Sequence, residues 1–191
     1  MITSTSVRRV ALVAALLAVP GVHAAEVAGV KVNDSIRVGG SDLLLNGAGL
    51  RSKLFIKIYV GALYVGQKTS TPTAIYDSRQ PRRMSMRLLR DLDAESLHSA
   101  LVDGLKNNNS PQELAELKPQ VEQLAGIMKT IGKAREGDTI AIDFSVDGVV
   151  LRLNEEVLGK VAGQSFAKAL LKVWLGDNPA DSSLKKALLG A

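Results

Sequence analysis

Arginine is the side chain in this sequence best suited to hold an anion, and one arginine stands where turn, strand and phenol come together. Arg51 follows Asn46-Gly47-Ala48-Gly49-Leu50 and precedes the apolar run Leu54 to Val65, which contains Tyr59. A guanidinium stays charged at physiological pH and presents parallel N–H donors. In a low-dielectric pocket it therefore binds a carboxylate or stabilises an oxyanion. A neighbouring phenol adds a neutral donor. Taken alone, Arg51 also reads as an exposed strand-end arginine, and Tyr59 as a sheet tyrosine packed on its neighbours. Arg83 and Arg87 share one face of a strand and offer a second cationic pair, for which solvent exposure is the expectation.

Other chemistry is scarce. The chain has no cysteine and two histidines, His23 and His98. Disulfides, thiolate zinc sites and thiol nucleophiles are excluded, and His98 reads as a structural or solvated residue on a helix. Gly47 and Gly49 lack the strand-to-helix setting of a phosphate loop. No metal or cofactor is expected.

The first residues read as a secretory leader. Arg8 and Arg9 precede an apolar stretch from Val10 to Val19, Pro20-Gly21 break it, and Val22-His23-Ala24 offers a cleavage site. The stretch is shorter than the ~20 residues a membrane-spanning helix needs. The expectation is a leader over residues 1–24, one domain over 25–191, export to the periplasm, and no membrane span in the mature chain. Lys and Arg total 24 against 19 Asp and Glu; without Arg8 and Arg9 the balance is 22 − 19 = +3. These charges are scattered and aromatics are few, which argues against nucleic-acid binding.

The elements that must position Arg51 follow from patterning. Val27 to Val32 alternates weakly, and Ser35–Val38 and Leu43–Leu45 flank the turn Gly39-Gly40. Asn46 to Gly49 reads as a break. Leu54 to Val65 is the best strand, with Ile56, Ile58, Val60, Ala62 and Tyr64 on the parity expected to face the core. Short helix character over Thr71–Tyr76 leads to a strand at Met84–Leu89. Asp93 caps a helix carrying Leu97, Leu101 and Leu105. Ser110-Pro111-Gln112-Glu113 starts the next, with a stripe from Leu114 to Met128. Thr139–Val146 and Val149–Leu153 flank Asp147-Gly148. Gln164 to Leu175 carries Phe166, Leu170 and Trp174 on one stripe, with Gly176 after it. Trp174 reads as core. Ser182–Leu189 is a last short helix. The order argues an α+β domain, an antiparallel sheet covered by helices on one face.

Four segments, in order, resemble the bacterial branch of the chalcone-isomerase-like family: NGAGLRSKLFIKIYVGALYVG (Asn46 to Gly66), RRMSMRLLRD (Arg82 to Asp91), ALVDGLKNNNSPQEL (Ala100 to Leu114) and FAKALLKVWLGDNPADSSLKKALLG (Phe166 to Gly190). The resemblance implies an open-faced β-sandwich with the ligand between sheet and helices. Plant enzymes of the family close a chalcone into a flavanone, and non-catalytic relatives bind fatty acids; in both, an arginine faces the developing or resident negative charge. Arg51 matches that arginine. If Tyr64 matches the tyrosine closing the enzyme's Gly-Val-Tyr segment, Tyr59 takes the place of a catalytic threonine. Asn108 falls near the enzyme's catalytic tyrosine, although Asn107 to Asn109 also read as a plain helix-ending loop.

The expectation is therefore an exported protein that binds a small amphipathic carboxylate, such as a fatty acid, through Arg51, Tyr59 and Asn108. The alternative is an isomerase (an intramolecular lyase) acting on a phenolic enone through Arg51 and Tyr59. A third reading is an envelope interaction protein that uses the fold without a ligand.

Overall fold

The computed structural model describes residues 24–191. The leader read over residues 1–24 lies, apart from Ala24, outside the described residues. A hairpin of β1 (Ala24–Val27) and β2 (Val30–Asn33) precedes β3 (Ser35–Val38), β4 (Ser41–Lys53) and β5 (Ile56–Val65). Helix α1 (Pro72–Tyr76) leads to β6 (Arg82–Leu88) and the short β7 (Leu92–Asp93). Helices α2 (Ala94–Asn108), α3 (Pro111–Glu116) and α4 (Lys118–Lys129) follow. Then come β8 (Lys133–Ala134), β9 (Thr139–Ser145), β10 (Gly148–Leu153), β11 (Glu156–Ala162), α5 (Gln164–Leu175) and α6 (Ser182–Leu188). Seven strands form one antiparallel sheet in the order β11-β10-β9-β6-β5-β4-β3. The α+β class and the one-sided helical layer stand as expected.

Four hairpins turn through two residues that both carry positive φ: Ala28-Gly29, Gly39-Gly40, Leu54-Phe55 and Asn154-Glu155. Such turns match the right-handed twist of the flanking strands. Two of them correct the sequence reading. Val27 to Val32 is not one strand but a hairpin folded at Ala28-Gly29. Leu54 and Phe55 are not strand residues but the turn that joins β4 to β5.

The largest correction concerns Asn46 to Gly49, which lies inside β4 rather than breaking the chain. Gly47, Gly49 and Gly61 lie together on one face of the β4–β5 ladder, with Gly49 opposite Gly61. A Cβ on Gly47 would sit inside the carbonyl oxygen of Ala187, and one on Gly49 would lie 2.6 Å from the Ala187 Cβ. One on Gly61 would come 3.2 Å from Leu184 Cδ1. The glycines thus open a groove in which α6 rests against the strand backbone. Asn46 is skipped by the ladder and its buried amide donates to Leu188 O at 2.7 Å and to Thr69 O at 3.0 Å. It also accepts from Thr69 N at 2.8 Å, so one side chain ties the end of α6 to the strand and to the following loop.

Both faces of β5 are therefore buried. Tyr59, Leu63 and Val65 join the main core beneath the helices. Val60, Ala62 and Tyr64 join a smaller core with Val32, Val38, Leu43 and Leu45, beneath the β1–β2 hairpin. Of the parity expected to face the main core, Val60, Ala62 and Tyr64 face the smaller one instead, Ile58 alone packs against the main core, and Ile56 is exposed.

The helical caps form as read. The Asp93 carboxylate accepts from Ser96 N at 2.7 Å, and Ser110 and Glu113 make a reciprocal capping box. The stripe from Leu114 to Met128 divides at Leu117, because Pro119 has no N–H for the Ala115 carbonyl and the helix restarts. Gly176 ends α5 in an extended rather than left-handed conformation, φ −72° and ψ −175°. Its missing side chain leaves room for Asn108 and for the Lys172 carbonyl. Among the described residues no helix is long and apolar enough to cross a membrane.

Gly47→Ala should force α6 off β4 and cost about 1–3 kcal/mol in urea unfolding, as overpacking does. Gly126→Ala, on the exposed side of α4 where a Cβ meets nothing within 4 Å, should instead stabilise by roughly 0.5–1 kcal/mol.

Candidate ligand cavity

Arg51 lies near the end of β4, directly opposite Tyr59 on β5. The next pair is Ser52 with Lys57, so Ile58 is an extra residue on β5. This bulge bends the ladder beside Arg51, as bulges do where a side chain must be re-aimed. The guanidinium carbon stands 5.5 Å from the centre of the Tyr59 ring, within cation–π range.

Tyr59 is 3% exposed. Its hydroxyl oxygen accepts from Trp174 Nε1 at 2.8 Å, which joins the sheet to α5 across the core. Burial pushes the Tyr59 phenol above its ordinary pKa; Arg51 and the Trp174 bond pull it down without cancelling that effect. The phenol is thus neutral at physiological pH and keeps an O–H to donate. Arg51 Nε is buried without a protein acceptor. The corner where Arg51 meets Tyr59 therefore offers donors: a permanent positive charge and a neutral hydroxyl. Such a set suits an oxyanion or carboxylate.

An apolar cavity of about 50 Å³ opens from this corner. Met86 and Ile140 line it from the sheet, Leu97 and Leu101 from α2, Met128 from α4 and Trp174 from α5. On the outer side of Arg51 lies a wider recess of about 280 Å³ with a mixed lining, bordered by Lys53, Asp103, Asn107, Asn178 and Pro179. Arg51, Ala100 and Ala180 border both spaces and stand between them; this boundary is the neck. The inner cavity is narrow beside the ~300–1,000 Å³ of typical ligand sites. A long ligand enters only if side chains move, and Met86 and Met128 are the pliable parts of the wall.

The fold brings Arg51 and Tyr59 together and leaves Asn108 elsewhere. The Asn108 amide donates to Gly104 O at 2.9 Å and Asn178 O at 2.6 Å, and accepts from Asn178 N at 2.9 Å. It fastens the end of α2 to the loop after α5 and does not line the inner cavity. Arg83 departs from the expected exposure. It is 6% exposed on the far face of the sheet. Its guanidinium binds Asp143 at 2.5 and 3.0 Å and Glu155 at 2.9 Å. Arg152 donates to the same Asp143 carboxylate at 2.8 Å. Arg87 is exposed and reaches Thr139 Oγ1 at 3.3 Å. These arginines are spent on ion pairs and surface, whereas Arg51 is not. His98 is half-buried on α2 and does not border the cavity. Trp174 fills core as expected and is also a cavity wall and the hydrogen-bond donor to Tyr59. The signal for that second role is the indole N–H, which needs an acceptor wherever the ring is buried.

The chalcone isomerase-like family model matches residues 24–190, the whole described chain but its last residue. The chain belongs to the chalcone isomerase-like family. The crystal structure of a fatty-acid binding protein of Arabidopsis thaliana superposes with a TM-score of 0.67 at 15% identity, covering 84% of this chain and 92% of that one. At that identity the likeness concerns the fold. No curated protein is significantly similar to the chain in sequence. The open-faced sandwich of the chalcone isomerase-like family thus accounts for the seven-stranded sheet and its helical layer.

In this chalcone isomerase-like chain the buried phenol leaves a mark on alkaline stability. A raised phenol pKa means that above about pH 10 the unfolded chain sheds a proton the folded one retains. Stability then falls with rising pH. Tyr64, pushed up to about 12 mainly by burial, adds to the same limb. Tyr59→Phe should shallow the loss of Tm between pH 10 and 11. At pH 7 it should cost about 1–3 kcal/mol, because Trp174 Nε1–H loses its acceptor.

Proposed function

We propose that this protein binds a fatty acid or similar long-chain carboxylate, its head at Arg51 and its chain among the helices. The observation that carries the reading is the buried, unpartnered Nε of Arg51 beside the Tyr59 hydroxyl, at the neck of an apolar cavity. A carboxylate in such a place needs a charged, hydrogen-bonding partner, since its burial alone is very costly. The guanidinium offers two parallel bonds and the phenol a third. The fatty-acid binding protein with the same fold supports the choice of ligand class. Binding is favoured over ring closure of a phenolic enone. Asn108, in the place the resemblance assigns to the enzyme's tyrosine, is engaged with Gly104 and Asn178.

Calorimetry with a long-chain acid and its methyl ester tests the reading. Arg51→Ala should weaken the acid by about 2–5 kcal/mol, as when one partner of a buried charge pair is truncated. Arg51→Lys should recover part of that, because a point charge lacks the fork. The ester should bind wild type poorly and lose little on substitution. Ala100→Trp, which fills the neck without changing charge, should exclude both ligands. Equal affinities across acid, ester, wild type and Arg51→Ala would remove Arg51 from the site.

Export of the mature chain to the periplasm belongs to the same proposal and rests on Arg8-Arg9, the short apolar stretch and the small residues at Ala24. N-terminal sequencing of the secreted protein should begin at Ala25 or within a residue or two of it. Met1 retained in a membrane fraction would contradict it.

A further inference from the structure

The β4–β5 turn is the most exposed apolar feature among the described residues. Phe55 is fully exposed, Leu54 is 83% exposed and Ile56 49%. These three residues are consecutive, and scattered single hydrophobes elsewhere on the surface do not form such a point. The turn's backbone makes the choice of residues more telling. Leu54 and Phe55 have φ of 48° and 67°, a conformation in which Asn-Gly or Gly-Gly is the ordinary solution. The same chain uses Ala-Gly, Gly-Gly and Asn-Glu at its three other two-residue turns of this kind. Only here does it place two large apolar side chains in left-handed geometry, where neither core packing nor turn propensity favours them.

The surroundings say what such a point meets. Lys53 and Lys57 flank it, both exposed and neither in an ion pair among the described residues. An apolar tip collared by lysines matches an anionic phospholipid surface, with side chains among the acyl chains and ammonium groups at the phosphates. The same strand ends connect the tip to the ligand mouth. Ser52 and Lys53 border the recess outside Arg51, and Arg51 itself forms the neck.

We propose that the Leu54-Phe55-Ile56 tip inserts into the interface of an anionic membrane and sets the mouth of the Arg51 cavity at the lipid surface, so that an acyl carboxylate passes between bilayer and protein without crossing bulk water. The membrane contact stands on the tip alone; the transfer half rests on the fatty-acid reading above.

The test uses the mature protein with vesicles of phosphatidylglycerol and phosphatidylcholine, no fatty acid present. Wild type should co-sediment, more weakly with phosphatidylcholine alone, and less as salt is raised. The double variant Leu54→Asn, Phe55→Gly installs the pair this turn prefers. It should keep or raise Tm while vesicle partition falls roughly tenfold or more. Lys53→Gln and Lys57→Gln should each weaken binding to the anionic vesicles by roughly fivefold. Affinity for fatty acid in solution should be the same in the Asn-Gly variant as in wild type, while transfer of a fluorescent fatty acid from vesicles slows. Partition of the Asn-Gly variant equal to wild type, or no partition of wild type at all, overturns the proposal. So does concentration-dependent self-association that the variant abolishes without any vesicle binding, which would make the tip a contact between copies. Vesicle binding without any fatty-acid affinity would leave the docking in place and remove the transfer and the cavity reading.

Discussion

The approach of α6 to the backbone of β4 is the constraint on which the site depends. Three glycines on one face of the central ladder remove the strand side chains from that contact. The α6 main chain at Ala187 and Leu188 meets Gly47, and the Ala187 and Leu184 side chains rest on Gly49 and Gly61, where any strand Cβ would intrude. With α6 held there, Asp181 both caps the helix through Leu184 N at 2.9 Å and accepts from Ser52 N at 3.2 Å. Ser52 is the residue after Arg51, and Ala180 precedes Asp181. The helix thereby sets one side of the neck, while the bulge at Ile58 sets the direction of the arginine. A helix shifted outward by one methyl group would loosen both.

Two arginines on opposite faces of one sheet show how burial assigns roles. Arg83 is paired with Asp143 and Glu155, and Arg152 shares the Asp143 carboxylate, so its charge is answered within the fold. Removing a partner there would strand a buried charge, the costly case for ion pairs. Arg51 is half-buried, touches an aromatic face and keeps an unanswered donor. An aromatic ring offsets part of the cost of desolvating a cation but accepts no hydrogen bond in the plane of the guanidinium. That leaves the directional part of its bonding capacity for something that is not this chain.

The wall opposite Arg51 is soft in composition. Thioether side chains at Met86 and Met128 flank a space much smaller than an acyl chain, while the sheet side chains around them belong to a tightly buried core. Flexible unbranched side chains can vacate volume by rotamer change with little loss of contact elsewhere, which branched residues cannot. The rigid and yielding parts of the site are thus divided between the charged end, held by strands and by the Trp174–Tyr59 bond, and the chain end, held by methionine and leucine.

Local chemistry was readable from the sequence wherever a short-range rule decides. The caps at Asp93 and Ser110, the Gly39-Gly40 turn, the buried stripe of α5 and the α+β order all follow from residues within one turn or one strand of each other. The ordered family resemblance put Arg51 inward, which its own neighbours in sequence did not. Facing was undecidable locally, because both parities of Ile56–Val65 are apolar and period two does not say which side the helices take. Glycines 47 and 49 look like a break until α6, some 140 residues later, is seen lying on them. Arg83 and Arg51 are the same residue type on β6 and β4, the two strands that flank β5; one becomes structural because Asp143, on β9, is folded against it. Asn108 looks like a ligand group by the family resemblance and becomes a clasp because the loop after α5 supplies partners for it. Each of these outcomes turns on atoms far apart in the chain, and burial, unlike propensity, is a property of what the rest of the fold places nearby.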